Sequence, residues 1–132
     1  KVFISDYLKK LSYEIINLGT NTNFSVDYPD YAYNVARLFK EKSIDFGILV
    51  CGSGIGISIA ANRYSHIRAA LCNDVKSCEL SRLHNNANVL VLGGRIIKHN
   101  IALNCVDKFL STEFEGGRHI KRIDKLSNPP LL

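Results

Sequence analysis

The stretch that most restricts what this chain can fold into is residues 44–60, Ile-Asp-Phe-Gly-Ile-Leu-Val-Cys-Gly-Ser-Gly-Ile-Gly-Ile-Ser-Ile-Ala. Its apolar run reads as a strand covered on both faces, as strands of parallel sheets are. Gly52, Gly54 and Gly56 follow at alternate positions and lead into a helix. They let the backbone turn sharply and bring N–H groups close to a ligand, where helix geometry leaves amide donors unpaired. Such a loop favours an anion or a developing negative charge. Cys51, at the strand end, faces those amides, which favours its thiolate and suits it to act as a base near neutral pH. A tight structural turn around a buried cysteine would show the same spacing. Ser53 is either a turn residue or a hydrogen-bonding partner for a substrate oxygen.

Familiar phosphate motifs do not fit this loop. A Walker loop ends in Gly-Lys-Ser/Thr, and no Lys is present here. The dinucleotide fingerprint needs G-x-G-x-x-G, whereas the spacing here is G-x-G-x-G with Ile57 next. A cysteine-phosphatase loop would place Arg at the position of Ile57.

Strand and helix patterns alternate along the rest of the chain. Phe3, Ile4, Tyr7, Leu8 and Leu11 predict an opening helix, residues 13–18 a strand, and residues 19–29 a polar, turn-rich loop. Residues 29–42 read as a helix with Pro29 near its first turn. Beyond the glycine loop a helix reaches about Tyr64, and residues 67–72 form a strand. Asn73 or Asp74 caps a helix that runs to about Leu83, and His84-Asn85-Asn86 closes it. Residues 88–92 are a fourth strand, 93–95 a turn, and 96–110 a helix. A short basic helix follows Gly116-Gly117 and stops before Pro129. This predicts an α/β fold, a Rossmann-like three-layer α/β/α sandwich with a parallel sheet, in one domain spanning residues 1–132. Ligands in such sheets bind outside the carboxyl ends of the strands, so residues 51–56, 73–74 and 93–95 are expected at one rim. The chain has no Met and opens inside a helix, so a preceding first strand is expected to be missing from this sequence.

The formal charge is +5, scattered along the chain and densest over residues 118–125. That favours phosphorylated small partners; without interleaved aromatics, no nucleic-acid partner is expected. Cys51, Cys72, Cys78 and Cys105 form no CxxC pair, and three of them sit in apolar patterns, which predicts a reducing, cytoplasmic setting. No apolar run reaches the roughly 20 residues of a membrane span, and no signal-peptide pattern opens the chain.

His84 falls at a helix end, where a cation is favourable, and reads as a cap, a surface residue or an acid/base. Asn85 and Asn86 read as caps or ligand contacts. Arg118, Lys121, Arg122 and Lys125 share one helical face. Arg118 and Arg122 are one turn apart and can grip one phosphate, although a solvated basic face has the same pattern.

Together, Asp27-Tyr28-Pro29, the run from Cys51 to Asn62, Ser81-Arg82-Leu83-His84-Asn85, Gly94-Arg95 and Glu115-Gly116-Gly117-Arg118-His119 resemble the type B ribose-5-phosphate isomerases in order and spacing. The likeness covers essentially the entire chain. Galactose-6-phosphate isomerase subunits share the fold and are the main confusable group. The resemblance implies an aldose-ketose isomerisation of ribose 5-phosphate through an enediolate, without metal or cofactor. By position, Cys51 looks like the base that moves the proton between C1 and C2. Gly52, Ser53, Gly54, Ile55 and Gly56 look like the enediolate cradle, and His84 like the ring-opening acid/base. Asn85 and Arg95 look like substrate contacts, and Arg118 with Arg122 like the phosphate clamp. The family implies a homodimer or tetramer with the site between subunits. Its members begin with a strand ending in an Asp-His pair, which this sequence does not contain. Two alternatives are an isomerase of allose or galactose 6-phosphate, needing a roomier pocket, and a non-catalytic sugar-phosphate-binding regulator. A regulator would need the arginines but neither Cys51 nor His84.

Overall fold

A computed structural model describes all 132 residues. Helix α1 (Val2–Lys10) buries Ile4 and Leu8, one turn apart, and carries Lys9 and Lys10 at its negative end. Helix α2 (Tyr28–Lys40) has Pro29 in its first turn, where a missing N–H costs nothing, and buries Ala32, Val35, Ala36 and Leu38. Strand β1 (Gly47–Cys51) leads through the glycine loop into α3 (Ile55–Ala61). Then follow β2 (Ala69–Leu71), α4 (Val75–Leu83), β3 (Val89–Gly93), α5 (His99–Ser111) and α6 (His119–Ser127). No helix is long and apolar enough to cross a membrane.

The sheet is parallel, in the order β1-β3-β2, and β1 pairs with β3 from Gly47 opposite Val89 to Cys51 opposite Gly93. Central β3 is apolar along its length because both of its faces are covered. Leu90 and Leu92 point into a layer with Ile4, Leu8, Cys78, Cys105 and Phe109. Val89 and Val91 point the other way, to Ala32, Val35, Ala36, Ile57 and Ala60. All four of these β3 side chains are at most 1% exposed, each stabilising the fold by about 1.5–3 kcal/mol. The alternation places α1, α4 and α5 on one face and α2 and α3 on the other, giving the expected three layers. Cys72, Cys78 and Cys105 are buried free thiols. Hydrogen bonding to Cys72, with burial, pushes the Cys78 thiol up.

Two expectations need correction. Residues 13–18 form no ladder. Tyr13 and Ile16 are about half exposed, and an alternating pattern becomes a strand only when a neighbour accepts its hydrogen bonds. Helix α5 starts at His99 rather than 96, because the amides of Ile96 and Ile97 both donate to the Gly93 carbonyl and close a turn there. Asp74 is the cap of α4: its carboxylate accepts from the Ser77 amide at 2.7 Å and the Ser77 hydroxyl at 3.0 Å.

Arg82 is the buried charge of the fold, 7% exposed. Its guanidinium donates to the carbonyls of Thr112 (3.0 Å) and Ala87 (2.6 Å) and to Asn86 Oδ1 (3.0 Å), and it lies over Phe46 and Phe109. One side chain thus ties the end of α4 to the start of β3 and the end of α5. Asn86, at φ 45°, is held in this network and is a structural residue. Arg82→Leu strands these acceptors, so urea unfolding should show a loss of about 2–4 kcal/mol; a loss below about 1 kcal/mol would contradict the role. The Ser77 amide, then its hydroxyl, holds the Asp74 carboxyl below the usual range. Its stabilisation is therefore full above the unfolded carboxylate pKa and lost as pH falls through the lower folded value. Melting curves of Asp74→Asn should decline less steeply in acid than wild type, and parallel curves would refute the assignment.

Candidate active site

The register puts Cys51 beside Gly93, and the chain leaving β3 locks onto the loop leaving β1. The Gly94 amide donates to the Cys51 carbonyl at 2.8 Å and the Arg95 amide to the Gly52 carbonyl at 3.0 Å. A Cβ on Gly93 would fall 2.6 Å from the Ser53 carbonyl oxygen, so the approach requires glycine. Gly54, at φ +80°, turns its amide onto Cys51 Sγ at 3.2 Å. The Ile55 amide is taken by Ser53 Oγ at 3.2 Å. The amides of Gly52, Ser53, Gly56 and Ile57 donate to no group in the chain. The loop therefore keeps four open donors, and two of the five amides expected in the cradle, those of Gly54 and Ile55, have other work. The Tyr28 ring packs against Gly56, where a Cβ would lie 2.4 Å from it. Arg95 lays its guanidinium over Gly52 and is otherwise exposed. Leu71, at the end of β2, reaches the loop at Gly54. Asn73 and Asp74 share no hydrogen bond with the loop; Asp74 serves α4 instead.

A second constellation gathers at the end of α4. His84 is its C-cap, donating its amide to the Leu80 carbonyl at 2.9 Å. The His84 ring stacks on that of His119, centroids 4.4 Å apart and planes at 18°. Glu115 spans the pair: its two carboxylate oxygens lie 3.9 Å from His84 Nε2 and 3.9 Å from His119 Nε2. The Glu115 amide donates to the Leu83 carbonyl at 3.1 Å, which fixes it beside the helix end. Burial, reinforced by the charge of His84, pulls the His119 pKa down. Gly116 and Gly117, at φ +72° and +58°, make the left-handed turn that brings residue 119 back over residue 115. Arg118 caps α6 and Arg122 stands one turn on, both exposed. Among the apolar residues of α6, Ile123 is buried, while Ile120 and Leu126 are more than half exposed. Asn85 is exposed and borders a cavity of about 460 Å³ with Asn62, Arg63 and Arg68.

No hydrogen bond or ion pair joins the Cys51 loop to the His84 group within one chain. The loop offers a thiol and amides to a reacting carbon and its oxygens. The His84 group offers an imidazole and, close in sequence, two guanidinium groups suited to a phosphate. A cavity of about 470 Å³ between α1, α5 and the ends of β1 and β3 is lined mainly by apolar residues and contains neither Cys51 nor His84. Glu115, His119, Tyr28 and the Ile57 amide had no assigned role from spacing alone. Glu-Gly-Gly-Arg-His did contain the signal, an acid and a histidine four apart across two glycines.

The family model for ribose/galactose isomerase matches residues 1–126. Ribose-5-phosphate isomerase B of Escherichia coli (strain K12) is 42% identical over 121 residues, covering 92% of this chain and 81% of that protein. The crystal structure of a ribose 5-phosphate isomerase from Thermotoga maritima is similar at TM-score 0.92 and 52% identity, over 94% of this chain and 86% of that one. Ribose-5-phosphate isomerase B from Mycoplasma genitalium, solved with bound ribulose-5-phosphate, is similar at TM-score 0.90 and 43% identity, over 96% of this chain and 85% of that one. With its parallel sheet, its glycine loop and its terminal Gly-Gly-Arg-His all inside the matched span, the chain belongs to the ribose/galactose isomerase family.

Proposed function

We propose that the chain is a type B ribose-5-phosphate isomerase, with residues 1–132 acting as one sugar-phosphate isomerase domain that interconverts ribose 5-phosphate and ribulose 5-phosphate. The observation that carries this reading is the Gly54 amide at 3.2 Å from Cys51 Sγ, with four unengaged amides in the same loop and helix start. A base and an anion cradle at one rim are what enediolate chemistry requires. His84 serves the opening of the furanose ring, in which one oxygen gives up a proton and another gains one. The Cys51 thiolate then takes the proton from C2, and the electron pair moves toward O1. The amides of Gly52, Ser53, Gly56 and Ile57 meet the oxygens as they become negative, so they bind the transition state more tightly than the sugar. A proton then passes from O2 to O1, and return of the proton to C1 as C2–O2 becomes the carbonyl gives the ketose. Arg118 and Arg122 hold the phosphate, and Asn85 and Arg95 contact the sugar. These steps move only protons, so no cofactor is called for.

The active unit is a homodimer, or a tetramer built from dimers, with each site assembled from the Cys51 loop of one copy and the His84 and Arg118 group of another. Ile55 and Ile59, one turn apart on α3, are 55% and 53% exposed beside the loop. Such a patch fits a second copy of the chain, and the separation of the two constellations within one chain fits a shared site. Four free thiols suit a cytoplasmic, reducing compartment.

Assayed as the full-length protein on ribose, allose and galactose phosphates, the enzyme should turn over ribose 5-phosphate with the highest kcat/KM. A higher value for a six-carbon sugar phosphate would move the assignment within the family, and turnover of none would overturn it. Subunit sharing is tested by refolding Cys51→Ala and His84→Asn together. Each variant alone should be nearly inactive, whereas the mixture should regain about a quarter of wild-type activity, since statistical mixing gives hybrid dimers one intact site. A mixture as inactive as its components would place both groups in the same chain.

A further inference from the structure

We propose that His84, Glu115 and His119 form a binding site for a divalent transition-metal ion of the zinc and cobalt class, and that the bound ion inhibits by taking His84 out of proton transfer. The inhibitory half rests on the isomerase reading; the binding half stands without it.

His119 Nε2 is buried and has no hydrogen-bond partner, and its side chain is 5% exposed. It faces the Glu115 carboxylate at 3.9 Å, and the other carboxylate oxygen lies 3.9 Å from His84 Nε2. One ligand atom from each residue falls within 4.8 Å of the other two. Two imidazole nitrogens and one carboxylate oxygen are a donor set that zinc uses with a fourth position open. Magnesium and calcium, which want oxygen ligands in larger number, are poorly served by it. Ligands about 2.0–2.1 Å from a tetrahedral ion stand about 3.4 Å apart, so the group must close by roughly 0.5–1.5 Å. The stacked rings must also tilt for their lone pairs to converge. The residues that would move are the freer ones: the side chains of His84 and Glu115 are 37% and 54% exposed, while buried His119 stays as the fixed point. The backbones are already set by the Glu115 amide on the Leu83 carbonyl and the His119 amide on the Gly116 carbonyl. Arg118 and Arg122 stand beside His119 and work against a dication, which points to moderate affinity and an anion or water in the open position.

The test is a Co²⁺ titration of the full-length protein followed by visible absorption, then displacement by Zn²⁺. One Co²⁺ per chain with the intense bands of tetrahedral coordination is expected. Glu115→Gln, at an exposed position, and His119→Gln should each weaken binding by at least about tenfold. Cys51→Ala should bind Co²⁺ like wild type. Absence of the bands in wild type, binding unchanged in both Gln variants, or binding lost in Cys51→Ala would overturn the site. Zn²⁺ should also inhibit wild-type turnover, relative to the uninhibited rate, at lower concentrations than it inhibits Glu115→Gln. Stoichiometric Zn²⁺ with undiminished turnover would overturn the inhibition while leaving the isomerase reading intact.

Discussion

The parallel ladder between β1 and β3 is the constraint on which the reactive rim depends. With Gly47 opposite Val89, Cys51 must end opposite Gly93. Only there can the Ser53 carbonyl approach a backbone without a Cβ, and the Gly94 and Arg95 amides close onto the carbonyls of residues 51 and 52. A slip of one residue would send every β3 side chain to the opposite layer, and the mismatch between the two packed clusters forbids it. Core packing on both faces thus determines where the thiol stands. Gly54 then determines what the thiol meets, because its left-handed backbone turns an amide onto the sulfur.

The His84 group depends on a different anchor. Buried Arg82 gathers carbonyls from two segments, and the Glu115 amide adds a bond to the last carbonyl of α4. Flexible polar side chains at a helix end would ordinarily be loose. Here the backbone on both sides of the histidine pair is held, which leaves side-chain torsions as the main freedom. The two anchors share no hydrogen bond within a chain.

Much of this was legible in the sequence because it depends on local patterns. The alternating glycines, the apolar run ahead of them and Asp74 before its helix each have one dominant conformation, and each is found near its expected place. The parallel sheet with helices on both faces followed from the alternation of strand and helix patterns, whereas the order β1-β3-β2 leaves no mark in residue types. Residues 13–18 misled because alternation describes a face and not a partner. Arg82 was hidden for a related reason: its three acceptors are main-chain carbonyls and an Asn oxygen, which leave no mark in residue types. The division of labour among the loop amides was equally invisible, since Gly54 and Ile55 differ from their neighbours only in where the turn points their N–H groups. Arg118 and Arg122 do lie one turn apart on an exposed face, as spacing required.

The central claim is that the Cys51 sulfur carries the carbon-bound proton. It is tested most directly by proton NMR of ribose 5-phosphate in D₂O with wild-type enzyme and with Cys51→Ala, at enough protein to saturate the sugar. Wild type should exchange the C2 proton for deuterium as it turns over, and Cys51→Ala should bind the sugar with the C2 proton left in place. Undiminished C2 exchange in Cys51→Ala would contradict the claim and move the base elsewhere.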